Sequence, residues 1–344
     1  MQLVSFRRYG AGSEERAGVL VPVGIVDLTA AAPLLFEDAE ERRWDLLSLL
    51  QSESEGYGLS AAEQIVDAVL EQIGQETSQG EIIIEAPIGP LSLGGAHVIL
   101  PLDSVRLLAP LPRPPSLRDF YAFEQHVAAA FGARGREVPP AWYRMPVFYF
   151  SNHGAVYGPD DRILMPRTKA LDYELEIACV IGREGRDISE DEAEYYIAGY
   201  TIMNDWSARD IQREEMSVGL GPAKGKDFAT SLGPALVTPD ELEDRATGDG
   251  RYDLAMVVRV NGQERGRGNF RDIHYTFSHM IAFASRDVTL RPGDILGSGT
   301  VGGGCLLETT GGKGPWLQPG DVVELEVERL GVLRNRVADR EEDW

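Results

Sequence analysis

Leu171-Asp-Tyr-Glu-Leu-Glu-Ile-Ala-Cys-Val-Ile181 reads as a β-strand. In a strand, residues two apart share a face. Glu174, Glu176, Ala178 and Val180 therefore stand on one side, and Tyr173, Leu175, Ile177, Cys179 and Ile181 on the other. Two carboxylates side by side in so apolar a strand repel each other and need a counter-charge. A hard divalent cation, which takes oxygen ligands, is one solution. A sheet edge with two hydrated glutamates is the other. Working outward, strands are predicted near 147–151, 172–183, 197–205, 234–238, 254–260, 294–298 and 321–329, and helices at 116–132, 189–195 and 275–285. Glycine-rich turns such as Gly297-Ser-Gly-Thr-Val-Gly-Gly-Gly304 punctuate them. There is no βαβ alternation and no long repeat, so the pattern predicts a β-rich α+β fold rather than a doubly wound sheet.

Upstream, the first 28 residues alternate in short apolar bursts around Gly10, Gly12 and Gly24 and predict a small antiparallel sheet. A helix follows from Ser60, with Ile65, Val69 and Ile73 on one stripe and Glu63 completing a capping box. Val105-Arg-Leu-Leu108 predicts a short strand. Pro110-Leu-Pro-Arg-Pro-Pro115 carries four prolines in six residues and reads as a stiff linker. The chain thus divides into a small β-rich N-terminal domain (1–110), a Pro-rich linker (111–115) and a larger domain (116–344). The charged end, Arg334–Trp344, is expected to fray.

The composition narrows the function classes. The 344 residues fit a prior of about two domains. With 33 Lys and Arg against 55 Asp and Glu, the net charge is −22, which argues against nucleic acid and anionic membrane as partners. Cys179 and Cys305 are too few for a disulfide framework. The start of the chain lacks the apolar core of a signal peptide, and no run reaches the ~18 apolar residues of a membrane span. A soluble cytoplasmic protein is expected. An anionic substrate would then need a bound cation, or a few buried basic groups, to reverse the local sign.

Three further stretches could carry chemistry. Tyr200-Thr-Ile-Met-Asn-Asp-Trp-Ser-Ala-Arg-Asp-Ile-Gln212 ends an apolar run at Asp205, either a cation ligand at a strand end or an N-cap, with Arg209 and Gln212 on one face of the following turn. In Ser116-Leu-Arg-Asp-Phe-Tyr-Ala-Phe-Glu-Gln-His126, Asp119 fits a capping box with Ser116. A helix there would place His126 two turns along the same face, with about 10 Å of rise; a lone helix histidine is most often a surface residue. Leu220-Gly-Pro-Ala-Lys-Gly-Lys226 holds two lysines in a chain where positive charge is scarce. It is not a phosphate-binding P-loop, because Gly-Lys-Asp lacks the hydroxyl residue and the spacer.

In this order the motifs resemble the fumarylacetoacetate hydrolase family. The resemblance runs from about Ser116 to Asp321 and rests on Asp119-Phe-Tyr with His126, Met145-Pro-Val-Phe-Tyr149, Asp172-Tyr-Glu-Leu-Glu176, Met203-Asn-Asp-Trp-Ser-Ala-Arg-Asp-Ile-Gln212, Gly225-Lys226 with Thr230, Ser298-Gly-Thr300 and Glu308. It implies a mixed β-roll catalytic domain, usually a homodimer, with Asp119, Glu174, Glu176 and Asp205 as ligands of Mg²⁺, Mn²⁺ or Ca²⁺. It implies His126 as catalytic base with Glu308 as its carboxylate partner, and Arg209, Gln212 and Lys226 around the developing oxyanion. Tyr121, Tyr149, Gln212 and Thr300 match substrate contacts, and Lys226 with Thr230 matches a second ion site in some members. The N-terminal region corresponds to the family's small β-domain only in position and β-rich character. Arg213–Val218 and the arginines of Gly132-Ala-Arg-Gly-Arg136 have no residue-by-residue match.

The implied activity is hydrolysis of a C–C bond in a β-diketo acid of the fumarylacetoacetate or acylpyruvate type, as in aromatic-compound catabolism. The alternative within the superfamily is a hydratase, decarboxylase or isomerase of a 2-oxo acid. A catalytically silent cation-binding protein would be expected to have lost the base or a ligand, and none is missing.

Overall fold

The Leu175–Ile181 strand is buried along its whole length and lies inside the main sheet, antiparallel to Ile197–Asp205 on one side and to Ile295–Gly297 on the other. The structure is a computed structural model that describes residues 1–10, 14–73, 75–76, 82–83, 91–93, 95–132 and 135–340. Both faces of the central strand are covered. Ile177, Cys179 and Ile181 join one apolar cluster, and Ala178 and Val180 the other. That double burial explains an apolar run broken only by the glutamates at its start, neither of which is at a sheet edge.

From Phe148–Phe150 the sheet passes through Leu117–Phe120, Ile295–Gly297, Leu175–Ile181, Ile197–Asp205 and Thr230–Val237. It continues without a break into Gln2–Arg8, Arg16–Val21, Gly24–Asp27 and Ala96–Leu100. The junction is the antiparallel pairing of Gln2 with Val237 and Leu3 with Leu236. The Leu59–Ile73 helix packs Ile65 and Val69 into the cluster that also holds Leu3, Leu236, Ala178 and Met203. A second sheet, Arg162–Leu164, Gly331–Ala338, Val322–Val327, Ala255–Val260 and Gln263–Asn269, contributes to the cluster on the opposite face.

Several expectations are corrected. The predicted 116–132 helix is a strand, Leu117–Phe120, followed by a shorter helix, Glu124–Gly132. Ser116 caps nothing there; its hydroxyl donates to Asp294. The expected 172–183 strand divides into Leu171–Asp172 and Leu175–Ile181, and the 189–195 helix is one 3₁₀ turn at Ala193–Tyr196. The N-terminal helix begins at Leu59, whose amide donates to Glu53 rather than to a capping box at Ser60. Arg334 to Ala338 do not fray, because they form the end of a strand paired on both sides. The proline-rich stretch is free of helix as predicted, yet Leu111 within it is buried.

Candidate active site

Register brings the acidic residues together. Cross-strand partners share a sheet face. Asp119 pairs with Gly297, Gly297 with Ala178, Glu176 with Met203, and Asp205 stands two residues beyond Met203. One face therefore carries Asp119, Glu176 and Asp205 at its end, while the rest of that face is packed against the N-terminal core. Glu174 enters from the bend before the strand, where its amide donates to Asn204 Oδ1 at 3.0 Å. Gly297 leaves the necessary gap, since a Cβ there would lie 2.7 Å from Asp119 Oδ1. Gly299, at φ +77°, closes the turn over the group and donates to Glu176 at 3.1 Å.

One oxygen from each of Asp119, Glu174, Glu176 and Asp205 lies within 4.8 Å of the others, and all four residues are buried. Asp119 Oδ1 and Asp205 Oδ1 have no hydrogen-bond partner. Opposite oxygens around Mg²⁺ or Ca²⁺ are about 4–5 Å apart, so the spacing, the all-oxygen chemistry and the two unpartnered oxygens fit a hard divalent cation. Without one, burial and the neighbouring carboxylates push Asp119 and Glu176 well above the usual carboxylate range. Burial also raises Asp205, against the pull of Lys226. Glu174 goes the other way: burial opposes its charge, but Lys226, Arg209 and His126 prevail and hold it below the usual range.

Two buried cations are built into the cluster. Lys226 Nζ donates to Glu174 and Asp205, both at 2.5 Å. Arg209 opens the Arg209–Met216 helix with Nε on Asp172 at 2.8 Å, Nη1 on Gln212 at 3.1 Å and Nη2 2.8 Å from Glu174 Oε1. Asp205 is thus not an N-cap. Asp172, which sequence pattern alone does not single out, is fully buried. It accepts from Arg209 and from the amides of Tyr173, Leu306 and Leu307, and so ties Arg209 to the short Leu306–Thr309 helix. The signal was present: Asp172 stands two residues before Glu174 on the same alternation.

That short helix carries Glu308, which is hydrogen-bonded to His126 Nδ1. A second Glu308 oxygen accepts from the Gly303 amide at 2.9 Å. Burial opposes the Glu308 charge, but His126 and the amide keep its carboxyl below the usual range. A carboxylate only accepts, so the ring proton belongs on Nδ1 and Nε2 is left to accept. The Tyr121 ring meets the imidazole edge-on at 5.3 Å between centroids. Tyr149 donates to Asp205 at 2.7 Å, and Thr300 to Glu176 at 3.4 Å. His126 does not share a helix face with Asp119; the two come from different elements to one cavity of about 340 Å³.

Every candidate except three lines that cavity: Glu308 stands behind His126, Asp205 lies beneath Tyr149 and Lys226, and Thr230 pairs with Asp205 in register, its hydroxyl 3.3 Å from Ser151 Oγ. Lys224, the other lysine of the turn, is exposed and paired with Asp227. The arginine-bearing loop at 132–136 lies partly outside the described residues.

Comparison with known proteins identifies the family of this fold. Residues 116–338 match the family model described as fumarylacetoacetate (FAA) hydrolase C-terminal. The chain is 35% identical over 243 residues to mitochondrial oxaloacetate tautomerase Fahd2a of Rattus norvegicus, covering 70% of this chain and 71% of the relative. Its fold superposes on fumarylacetoacetate hydrolase from Exiguobacterium antarcticum with a TM-score of 0.65 at 26% identity, over 99% of this chain and 100% of that one. It also superposes on maleylpyruvate hydrolase from Sphingobium sp. SYK-6 in complex with manganese(II) and pyruvate, with a TM-score of 0.65 at 23% identity, over 98% and 99% of the two chains; that likeness is one of fold. The extent of the family match, together with a relative aligned over more than two thirds of the chain, places the protein in the fumarylacetoacetate hydrolase family.

Proposed function

We propose that the protein is a divalent-cation-dependent enzyme that hydrolyses a C–C bond in a β-diketo acid of the acylpyruvate or fumarylacetoacetate type. The observation that carries this reading is the convergence of an oxygen-only carboxylate quartet and an oriented His126–Glu308 pair on one cavity. Asp119, Glu174, Glu176 and Asp205 would hold Mg²⁺, Mn²⁺ or Ca²⁺. A cation there supplies Lewis acidity and a template for the dioxo unit. His126 Nε2 accepts a proton from water while Glu308 fixes the ring. Hydroxide adds to one carbonyl, and Arg209, Gln212 and Lys226 donate toward the oxyanion. Tyr121, Tyr149 and Thr300 position the substrate. As the C–C bond breaks, His126 returns its proton to the departing enolate carbon.

A second reading is enolisation, decarboxylation or hydration chemistry on a 2-oxo acid without C–C hydrolysis. The 35% identity with an oxaloacetate tautomerase favours it. Purified protein with Mg²⁺ or Mn²⁺ is to be screened against acetylpyruvate, fumarylpyruvate, fumarylacetoacetate and oxaloacetate. Hydrolysis is expected as loss of the dioxo chromophore with release of two acids. Interconversion of oxaloacetate tautomers with every diketo acid left intact would put the second reading in its place.

We also propose a homodimer through residues 116–344. Phe148–Phe150 is the terminal strand at that end of the main sheet among the described residues, and Phe150 is 65% exposed, an edge of the kind that proteins cover. Light scattering on active enzyme is expected to give twice the chain mass; a monomer would refute it.

A further inference from the structure

The cavity has two chemically different ends. Its charged lining residues, Asp119, Glu174, Glu176, Arg209, Lys226 and His126, all gather at the carboxylate cluster or the base beside it. The remaining approach is walled by Phe131 from the end of the Glu124–Gly132 helix, by Val147 and Phe148, and by Met216 and Pro222. Val147 and Met216 are each 37% exposed, which marks this apolar side as the mouth.

Charge accounting decides what the mouth can accept. Lys226 is paired with Glu174 and Asp205, and Arg209 with Asp172 and Glu174. Neither cation can leave for the mouth without stranding a buried carboxylate, which costs far more than a surface ion pair returns. Among the described residues, no other Arg or Lys lines the cavity. A substrate held at the cluster by its 2-oxo-acid end therefore lays its far end along apolar wall. Gln212 also lines the cavity, but its Oε1 is taken by Arg209, so a carboxylate there would lose water and gain no charged partner among the described residues, inside a chain of net charge −22. Methylene or aromatic carbon there would bury apolar surface against Phe131, Val147 and Met216.

We propose that this site takes 2-oxo acids whose far end is uncharged and apolar, and discriminates against those ending in a second carboxylate. The inference rests on the acylpyruvate form of the proposed function, whose substrates carry a 2-oxo-acid head, and narrows it away from fumaryl substrates, which end in a second carboxylate; the test separates the two. N-Alkyl oxamates carry the 2-oxo-acid head and contain no C–C bond open to the proposed hydrolysis. Binding of N-hexyl oxamate and of N-(5-carboxypentyl) oxamate to Mn²⁺-loaded protein is to be measured by calorimetry. The hexyl compound is expected to bind more tightly by roughly 10- to 100-fold, the range over which a pocket tells such groups apart. Met216→Arg, at a partly exposed helix position, is expected to close most of that gap by tightening the carboxylated compound. Equal or tighter binding of the carboxylated compound to the unaltered protein would overturn the inference while leaving the 2-oxo-acid reading in place. Binding of neither would overturn that reading, and this inference with it.

Discussion

Replacing Asp172 by asparagine is expected to destabilise the protein by about 2–4 kcal/mol and to impair turnover in the molecules that remain folded. The magnitude follows from the bonds. Oδ1 accepts from the amides of Tyr173 (2.9 Å) and Leu306 (2.8 Å), and asparagine keeps these. Oδ2 accepts from Arg209 Nε (2.8 Å) and from the Leu307 amide (3.0 Å), and an amide nitrogen there would face two donors. Each hydrogen bond to a charged group is worth about 1.5–3 kcal/mol, so the gross loss is about 3–6 kcal/mol. Burial pushes the Asp172 carboxyl up, against Arg209 and the amides, so removing the charge returns part of that loss. Urea denaturation at pH 7 reads the net value. In the same variant, kcat measured well below the unfolding transition is expected to fall, because Arg209 and the helix carrying Glu308 lose their common anchor. A loss of stability under about 1 kcal/mol, with kcat unchanged, would refute the anchoring role.

Exhaustive chelation is expected to abolish turnover, with recovery on adding Mg²⁺ or Mn²⁺, and Glu174→Ala should lose both cation binding and activity; full activity in the chelated protein would sink the cation assignment. His126→Ala is expected to lower hydrolysis by roughly 10²–10⁴-fold while cation binding stays nearly intact, and Glu308→Gln to show a smaller parallel defect. Decarboxylation of oxaloacetate, which needs no activated water, should suffer less in both variants; unchanged hydrolysis in His126→Ala would remove it from the mechanism. Glu308 also gives a pH signature. Because His126 and the Gly303 amide hold its folded-state pKa below the unfolded value, its stabilising effect is complete above the ordinary glutamate pKa and is lost as pH falls through the depressed value. The stability gap between the natural protein and Glu308→Gln should therefore narrow on acidification from pH 6 to 3, and a gap constant with pH would count against the pairing.

Local pattern revealed as much of the site as local pattern can carry. Ile197–Asp205 was readable from an apolar run that stops at Asn204-Asp205, and Glu174 with Glu176 from alternation. The 116–132 region reads as one helix because Phe120, Phe123, Val127 and Phe131 repeat at helical spacing. What overrides that period is distant: Leu117–Phe120 is hydrogen-bonded to Phe148–Phe150 and to Ile295–Gly297, partners that no window on the sequence contains. The same long-range pairing turns Asp119 from a supposed cap into a member of the carboxylate face. Asp172 escaped for a related reason, since its role depends on Leu306 and Leu307, more than 130 positions away.

The buried charges also revise how so acidic a chain could admit an anion. The sequence asks for a bound cation, or a few buried basic groups, to reverse the local sign for an anionic substrate, and Arg209 and Lys226 are the buried basic groups of the site. In the structure both serve the protein's own carboxylates first. Asp119, Asp172, Glu174, Glu176 and Asp205 face these two cations, an excess of three negative charges if every group ionises. Burial and mutual repulsion prevent that: Glu176 is the member pushed up with its side chain hydrogen-bonded to Asp119, so the two can share one proton. A divalent cation would displace that proton, because carboxylates ligate it deprotonated, and would itself remove two charges of the excess. With that cation bound, the end of the cavity would be close enough to neutral for a 2-oxo-acid head. Arg209 and Lys226 then act less as direct counter-ions than as the fixed charges that let four carboxylates stand within 4.8 Å of one another before any cation arrives.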